Sequence, residues 1–168
     1  MTEDTVEVVI EIPKGSRNKY EYDKQRNVIR LDRMLFSAVH YPSDYGFIPN
    51  TLARDGDALD ALVLVWESTF PGCVIEARPV GVFRMMDEKG PDEKILCIPI
   101  RDPMWNHISE LQDVPPHLLK EIEHFFKIYK ELEEKKTGID GWGGRNDALQ
   151  FIRDARERFT NKERTGHG

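Results

Sequence analysis

The sequence predicts a mainly β, α+β domain: a small barrel or curled sheet with two C-terminal helices packed outside it. Three observations carry that reading. Short apolar or alternating runs, separated by Pro- and Gly-containing turns, fill the first two thirds of the chain. An apolar stripe at helical spacing follows Pro115-Pro116. The 168 residues show no repeat, linker or low-complexity tract, which suits one domain over residues 1–168.

The elements follow in order. Val6, Val8, Ile10 and Ile12 alternate with Glu7, Val9 and Glu11, the period of a strand, and Pro13-Lys14-Gly15-Ser16 ends it. On that parity Glu11 faces away from Val8, Ile10 and Ile12. Residues 19–22 alternate charged and aromatic side chains, and residues 28–31 form a short strand. The Pro- and Gly-rich stretch 41–49 reads as a loop. Residues 61–66 are apolar on both parities, as in a strand covered on both faces. Residues 74–83 and 94–100 are further strands, with 87–92 as a hairpin loop between them. Leu118, Ile122, Phe125, Tyr129 and Leu132 then form one helical face. Gly138 and residues 141–144 break that helix. Residues 147–159 form a second one, with Leu149, Ile152, Ala155 and Phe159 as its stripe. Order in the tail after about residue 160 is left open.

Composition narrows the partners. A net charge of −6 argues against a polyanion held by bulk electrostatics, yet allows a small anion in a local basic pocket. Cys73 and Cys97 match no metal-ligand spacing and suit two buried thiols in a reducing compartment. No apolar run approaches membrane-spanning length. The expected location is the cytoplasm.

The most informative stretch is Asp55-Gly56-Asp57-Ala58-Leu59-Asp60, set directly against the apolar run from Ala61. Carboxylates this close repel and raise one another's pKa unless something positive neutralises them. Clustered oxygen ligands suit a hard divalent cation such as Mg²⁺ or Mn²⁺. A solvated Asp-Gly turn explains Asp55 and Gly56, but explains Asp60 poorly, because Asp60 abuts a buried run. An EF-hand loop fails, since Leu59 and Trp66 fall where ligands belong. Asp87 and Asp92 flank the second hairpin. Glu11 and Glu21 add carboxylates, with a surface role for Glu21 an equal alternative. Lys19, Arg33, Tyr41, Tyr45, Lys94, Tyr129 and Lys130 supply donors for a phosphate-like anion. His117 and His124 read as surface or packing residues. Lys14-Gly15-Ser16 lacks the glycine spacing of a P-loop, and no serine sits in a nucleophile elbow.

These residues resemble the soluble family I inorganic pyrophosphatases of prokaryotic type. The family signature D-x-D-[PE]-x-D-x reads here Asp55-Gly56-Asp57-Ala58-Leu59-Asp60-Ala61, departing only at Ala58. In-order matches run through Glu11-Ile12-Pro13, Lys19-Tyr20-Glu21, Asp32-Arg33, Tyr41-Pro42 with Tyr45-Gly46, Arg78-Pro79, Asp87-Glu88, Asp92 with Lys94, and Tyr129-Lys130. The segment after Glu134 departs from the family pattern. The resemblance implies a five-stranded OB-like barrel with flanking helices, usually a homohexamer, hydrolysing pyrophosphate with several Mg²⁺ per subunit, Mn²⁺ or Zn²⁺ substituting. It implies that Asp55, Asp60 and Asp92 hold an activating Mg²⁺. Asp60 would bridge to a second, Asp87 and Asp92 would meet a substrate-borne ion, and Glu11 a further one. Asp57 would take the proton from the attacking water, with Asp92 as the rival base. Lys19, Arg33, Tyr45, Lys94, Tyr129 and Lys130 would hold the phosphoryl groups, while Glu21 and Tyr41 tune the site from behind. No nucleic-acid or membrane partner is expected. The competing readings are a nucleotide phosphohydrolase, a barrel binding single-stranded nucleic acid, and a catalytically dead metal-binding scaffold. The second would want aromatics amid positive charge, whereas here they lie amid carboxylates.

Overall fold

The structure, a computed structural model, describes residues 4–166. Eight strands and two α-helices appear in the order β1 (Val6–Ile12), β2 (Asn18–Asp23), β3 (Val28–Met34), β4 (Asp44–Ile48), β5 (Leu59–Val63), β6 (Val74–Asp87), β7 (Gly90–Pro99), α1 (Pro116–Ile128), β8 (Gly138–Gly143) and α2 (Arg145–Thr165). Strands pair in the order β1-β4-β5-β7-β6, and β6 pairs back onto β1. The ring is closed, so the barrel has no free edge. All its pairings are antiparallel except β5 with β7. Strand β8 extends the sheet from β6, and β2–β3 form a separate hairpin.

The two parities of β5 and β7 feed two cores, which is why this stretch of sequence is apolar throughout. Leu59, Ala61, Val63, Ile95 and Cys97 pack with Ala148, Ile152 and Ala155 of α2. Leu62, Leu64, Leu96 and Ile98 pack with Ile122, Phe125 and Phe126 of α1. Continue the second parity backwards along each strand and it reaches Asp60 on β5, and Lys94 and then Asp92 on β7. Asp60 and Lys94 are direct partners in the parallel register. The polar residues therefore stand where the α1-side core meets solvent.

Several local expectations change. The stretch read as a loop contains β4, because Gly46 lets it lie against β1; a Cβ there would sit 1.8 Å from the Val9 carbonyl oxygen. The glycines read as a helix break form β8, paired with Val82 to Met86 of β6. Gly141 takes φ +99° in that strand, and a Cβ on Gly143 would meet Asp147 and Val82. The hairpin turn shrinks to Glu88-Lys89, so Asp87 and Asp92 both lie on strands. Helix α1 stops at Ile128, with Tyr129 capping it. Leu132 falls in a 3₁₀ turn, Glu131–Glu133, and is 66% exposed rather than part of the helical face. Trp66 also leaves the buried run, which ends at Val65. Helix α2 is longer than expected, running to Thr165, with Ala148 rather than Leu149 in the core. Cys97 is buried, while Cys73 is half-buried. His117 and His124 are exposed, as expected for surface positions.

Candidate active site

One pocket of about 450 Å³ opens where the hairpin, the barrel and the end of α1 meet. It is lined by Glu11, Lys19, Glu21, Arg33, Tyr41, Tyr45, Asp55, Asp57, Asp60, Asp87, Asp92, Lys94, Tyr129 and Lys130, so every candidate residue of the sequence reaches it. Sequence reasoning gave no role to Asp32, Lys24, Glu88, Lys89 and Lys135, which also line it. The Asp32-Arg33 pair was the signal available for the first of these.

The floor is strand-borne. Lys94 is 2% exposed and sits at the centre. Its Nζ donates to Tyr45 Oη at 2.8 Å and to Asp60 and Asp92 Oδ2, each at 3.1 Å. The same ammonium lies 5.0 Å from the ring centroids of Tyr45 and Phe126. Burial opposes its charge, but Tyr45, Asp92 and Asp60 outweigh that and hold it well above the lysine range. Burial also pushes Asp60 up to about 6, with Asp92 repelling it and Lys94 offsetting part of the rise. Burial acts on Asp92 too, yet the attraction and hydrogen bond of Lys94 win, and its carboxyl lies below the ordinary range. Tyr41, Tyr45 and Tyr129 are pushed up by burial and stay phenolic donors.

Glu11 forms one wall. The β1–β4 register shifts between Ile10 and Ile12, so Ile12 joins the α1-side core while Ile10 packs towards α2. Glu11, between them, lines the pocket and accepts the Tyr22 N–H at 2.8 Å. Burial pushes its carboxyl up to about 7; the Tyr22 N–H opposes this, and Asp60 and Glu21 add repulsion.

The rim is carried by loops and by the hairpin. Asp57 N–H donates to Asp55 Oδ1 at 3.0 Å, and Ala53 N–H to the Asp57 carbonyl at 2.7 Å. Between the aspartates Gly56 takes φ +92°. Desolvation, and the nearby Asp57 and Asp92, raise Asp55 above the usual carboxylate range despite the Asp57 N–H. Lys19 pairs with Asp32 at 3.1 Å, and Lys130 lies 3.7 Å from Asp87 and 3.6 Å from Glu88. Arg33 is held by Asp32 at 2.6 Å and by Glu133.

Nine carboxylates and seven Lys or Arg side chains line this pocket. It is net negative while displaying cations and phenols suited to phosphoryl oxygens. Such a site repels a polyphosphate anion until further positive charge enters. Among the described residues, no three acidic, histidine or cysteine side chains converge into a closed ion cage. Asp55, Asp60 and Asp92 thus share the pocket without enclosing a common point. Mg²⁺ needs no such cage, because it keeps several waters and binds through one or two carboxylates plus substrate phosphates. The all-oxygen donor set, with Glu11 and Asp60 unsettled by burial and mutual repulsion, fits a hard divalent cation.

Comparison with known proteins agrees with this chemistry. The family model for inorganic pyrophosphatase matches residues 8–160. An inorganic pyrophosphatase of Methanosarcina mazei is 61% identical over 165 residues, covering 98% of each chain. One from Streptomyces coelicolor is 52% identical over 163 residues, covering 96% of this chain and 98% of its own. The crystal structure of inorganic pyrophosphatase from Thermus thermophilus superposes with a TM-score of 0.92 at 46% identity, covering 95% of this chain and 93% of that one.

Proposed function

This chain belongs to the inorganic pyrophosphatase family, and from that premise we propose how its pocket carries out the reaction. The activity is hydrolysis of pyrophosphate to two orthophosphates. The observation that carries the mechanism is the interleaving of nine carboxylates with seven cations in one net-negative pocket. Asp55, Asp60, Asp87, Asp92 and Glu11 would hold Mg²⁺ ions, with Mn²⁺ or Zn²⁺ as substitutes. When bound, such ions neutralise phosphoryl oxygens and lower the pKa of an attacking water towards ~7.

The chain's own groups do the rest. Lys19 and Lys130 exchange their present carboxylate partners for phosphoryl oxygens, Arg33 and Tyr129 donate to the same anion, and together they fix the diphosphate in line for attack. Lys94 and Tyr45 donate from the floor and stabilise charge as it moves to the leaving phosphate. Asp92 is committed to Lys94 and is a poor proton acceptor, so Asp57, on the open turn, takes the water's proton. Tyr41, packed against Tyr45 and Phe125, holds the aromatic floor in place, and Glu21 adds negative charge beside Glu11. No protein nucleophile is required.

Phosphate release from pyrophosphate and from ATP, each with Mg²⁺ or with EDTA, tests this. Pyrophosphate with Mg²⁺ is expected to react fastest and EDTA to abolish it; activity that survives chelation defeats the mechanism. We place the enzyme in the cytoplasm as one domain per subunit of a homohexamer. The free thiols Cys73 and Cys97 suit a reducing compartment. Exposed Trp66, Phe70 and Val74 offer apolar surface for assembly. Among the described residues, no helix is long and apolar enough to cross a membrane. A solution mass checks the subunit count.

A further inference from the structure

Arg33 belongs to the hairpin, whereas Tyr129 and Lys130 follow α1, and a diphosphate held between them requires the two segments to keep one spacing. A single side chain ties them. Glu133 Oε1 lies 2.8 Å from Arg33 Nε, and Arg33 Nη2 donates to Glu133 Oε2 at 3.2 Å. The two residues are a hundred positions apart in sequence, and the Glu133 side chain is only 6% exposed. The 3₁₀ turn that carries Glu133 hangs on Lys130, whose carbonyl accepts the N–H groups of Glu133 at 3.0 Å and Lys135 at 3.5 Å. The same stretch of backbone therefore carries Tyr129, Lys130 and Glu133. One hydrogen bond, from Nη2, and a second close charge contact, at Nε, hold the guanidinium against the Glu133 carboxylate. With Nη2 on Glu133 and Nη1 on Asp32, each through one hydrogen, the second hydrogen on each of these nitrogens is left to turn towards the pocket.

We propose that Glu133 is a positioning residue for pyrophosphate hydrolysis: it locks the Arg33 guanidinium to the Tyr129-Lys130 segment so that both reach the same diphosphate. This rests on Arg33 contacting substrate, as proposed above. The carboxylate also competes with phosphate for the guanidinium. Removing its charge frees Arg33 to bind the ground state at least as well while misplacing it in the transition state. The expected signature is a fall in kcat with no rise in KM.

The test compares Glu133→Gln, Glu133→Asp, Arg33→Ala and the double variant Glu133→Gln/Arg33→Ala in the full chain with Mg²⁺. Thermal unfolding of each variant is followed alongside. Glu133→Gln is expected to lower kcat about tenfold, since small misplacements of a positioned group cost that much or more. Its KM stays level or falls, and Glu133→Asp recovers part of the rate. In the Arg33→Ala background, Glu133→Gln is expected to have no further effect on kcat. An equal loss in both backgrounds, or a raised KM with kcat intact, overturns the proposal and leaves Arg33 as a substrate ligand. If Arg33→Ala itself changes neither constant, the assignment of Arg33 falls first, and the proposal with it.

Discussion

The floor and the rim of this pocket carry the same residue types in opposite physical states. On the floor Asp60, Asp92, Lys94 and Tyr45 project from paired strands around a Lys94 that is 2% exposed; Asp92 is 11% exposed, and Asp60, at 26%, opens onto the pocket as the rim does. On the rim Lys19 and Asp32 pair with side chains 26% and 32% exposed. Asp55 and Asp57 ride an exposed turn. Buried charges persist only while their partners persist, whereas exposed pairs exchange partners for little free energy. The floor is therefore a fixed template of charge. Apart from the Arg33–Glu133 clamp, the rim is a set of provisional pairs that substrate and ions can replace. A pocket that must admit a highly charged anion and release two benefits from both.

The largest test removes the centre of the floor. Lys94→Met keeps an unbranched apolar stem but leaves Asp60 and Asp92 facing each other without an ammonium. Breaking a buried pair in this way costs about 4 kcal/mol. Urea unfolding at pH 7.5 in EDTA is expected to show a loss of that order. Phosphate release is expected to fall by at least ~10²-fold, as for removal of a preorganised donor. Mg²⁺ is expected to restore part of the stability but not the rate. An unchanged unfolding midpoint would show that the floor is held no more firmly than the rim.

Proton linkage at the Glu11 wall gives the next effect. Its carboxyl is raised from 4.5 to about 7 by burial. Between those values the folded chain keeps a proton that the unfolded chain has released. Stability of the metal-free protein should therefore decline as pH climbs from about 4.5 to 7 and then level off, by about 3 kcal/mol at most. Asp60, raised to about 6, acts in the same direction. The lowered carboxyls of Asp92, Asp32 and Glu88 lose their contribution only as pH falls below the ordinary carboxylate range, outside this window. Unfolding in EDTA at pH 5 and pH 7.5 measures the decline. Saturating Mg²⁺ should reverse it, because cation binding favours the charged forms.

The contrast between floor and rim also explains what the sequence could disclose. Asp60 was conspicuous because it breaks an apolar run, but Asp92 read as part of a hairpin loop and Tyr45 as part of another, so the resemblance, and then the β5–β7 register, put the floor together. Strand β1 and the face of α1 were legible from local pattern. Strands β4 and β8 were not, since Pro42, Gly46, Pro49 and the glycines at 138, 141 and 143 obey the propensity of loops. They become strands because those glycines allow close approach to β1 and β6, a tertiary effect with no local signature. Glu133 was illegible in the same sense. Nothing in Glu131-Leu132-Glu133-Glu134 marks which carboxylate turns inward, and only the 3₁₀ turn after α1 decides it.

The smallest expected effect belongs to the rim. Lys19→Met removes the 3.1 Å contact with Asp32 while keeping much of the side chain's volume. An exposed pair of this kind contributes about 0–1 kcal/mol, so the unfolding midpoint should hardly move. The KM for pyrophosphate should nevertheless rise several-fold, because the same ammonium is offered to a phosphoryl group once Asp32 releases it. Added salt should shrink the difference between variant and parent, as screening weakens a solvent-facing charge more than a buried one. Measuring KM and unfolding together across a salt series separates these contributions. If Lys19→Met destabilised the fold as strongly as Lys94→Met, the rim would be structural, and substrate could not enter by displacing its ion pairs.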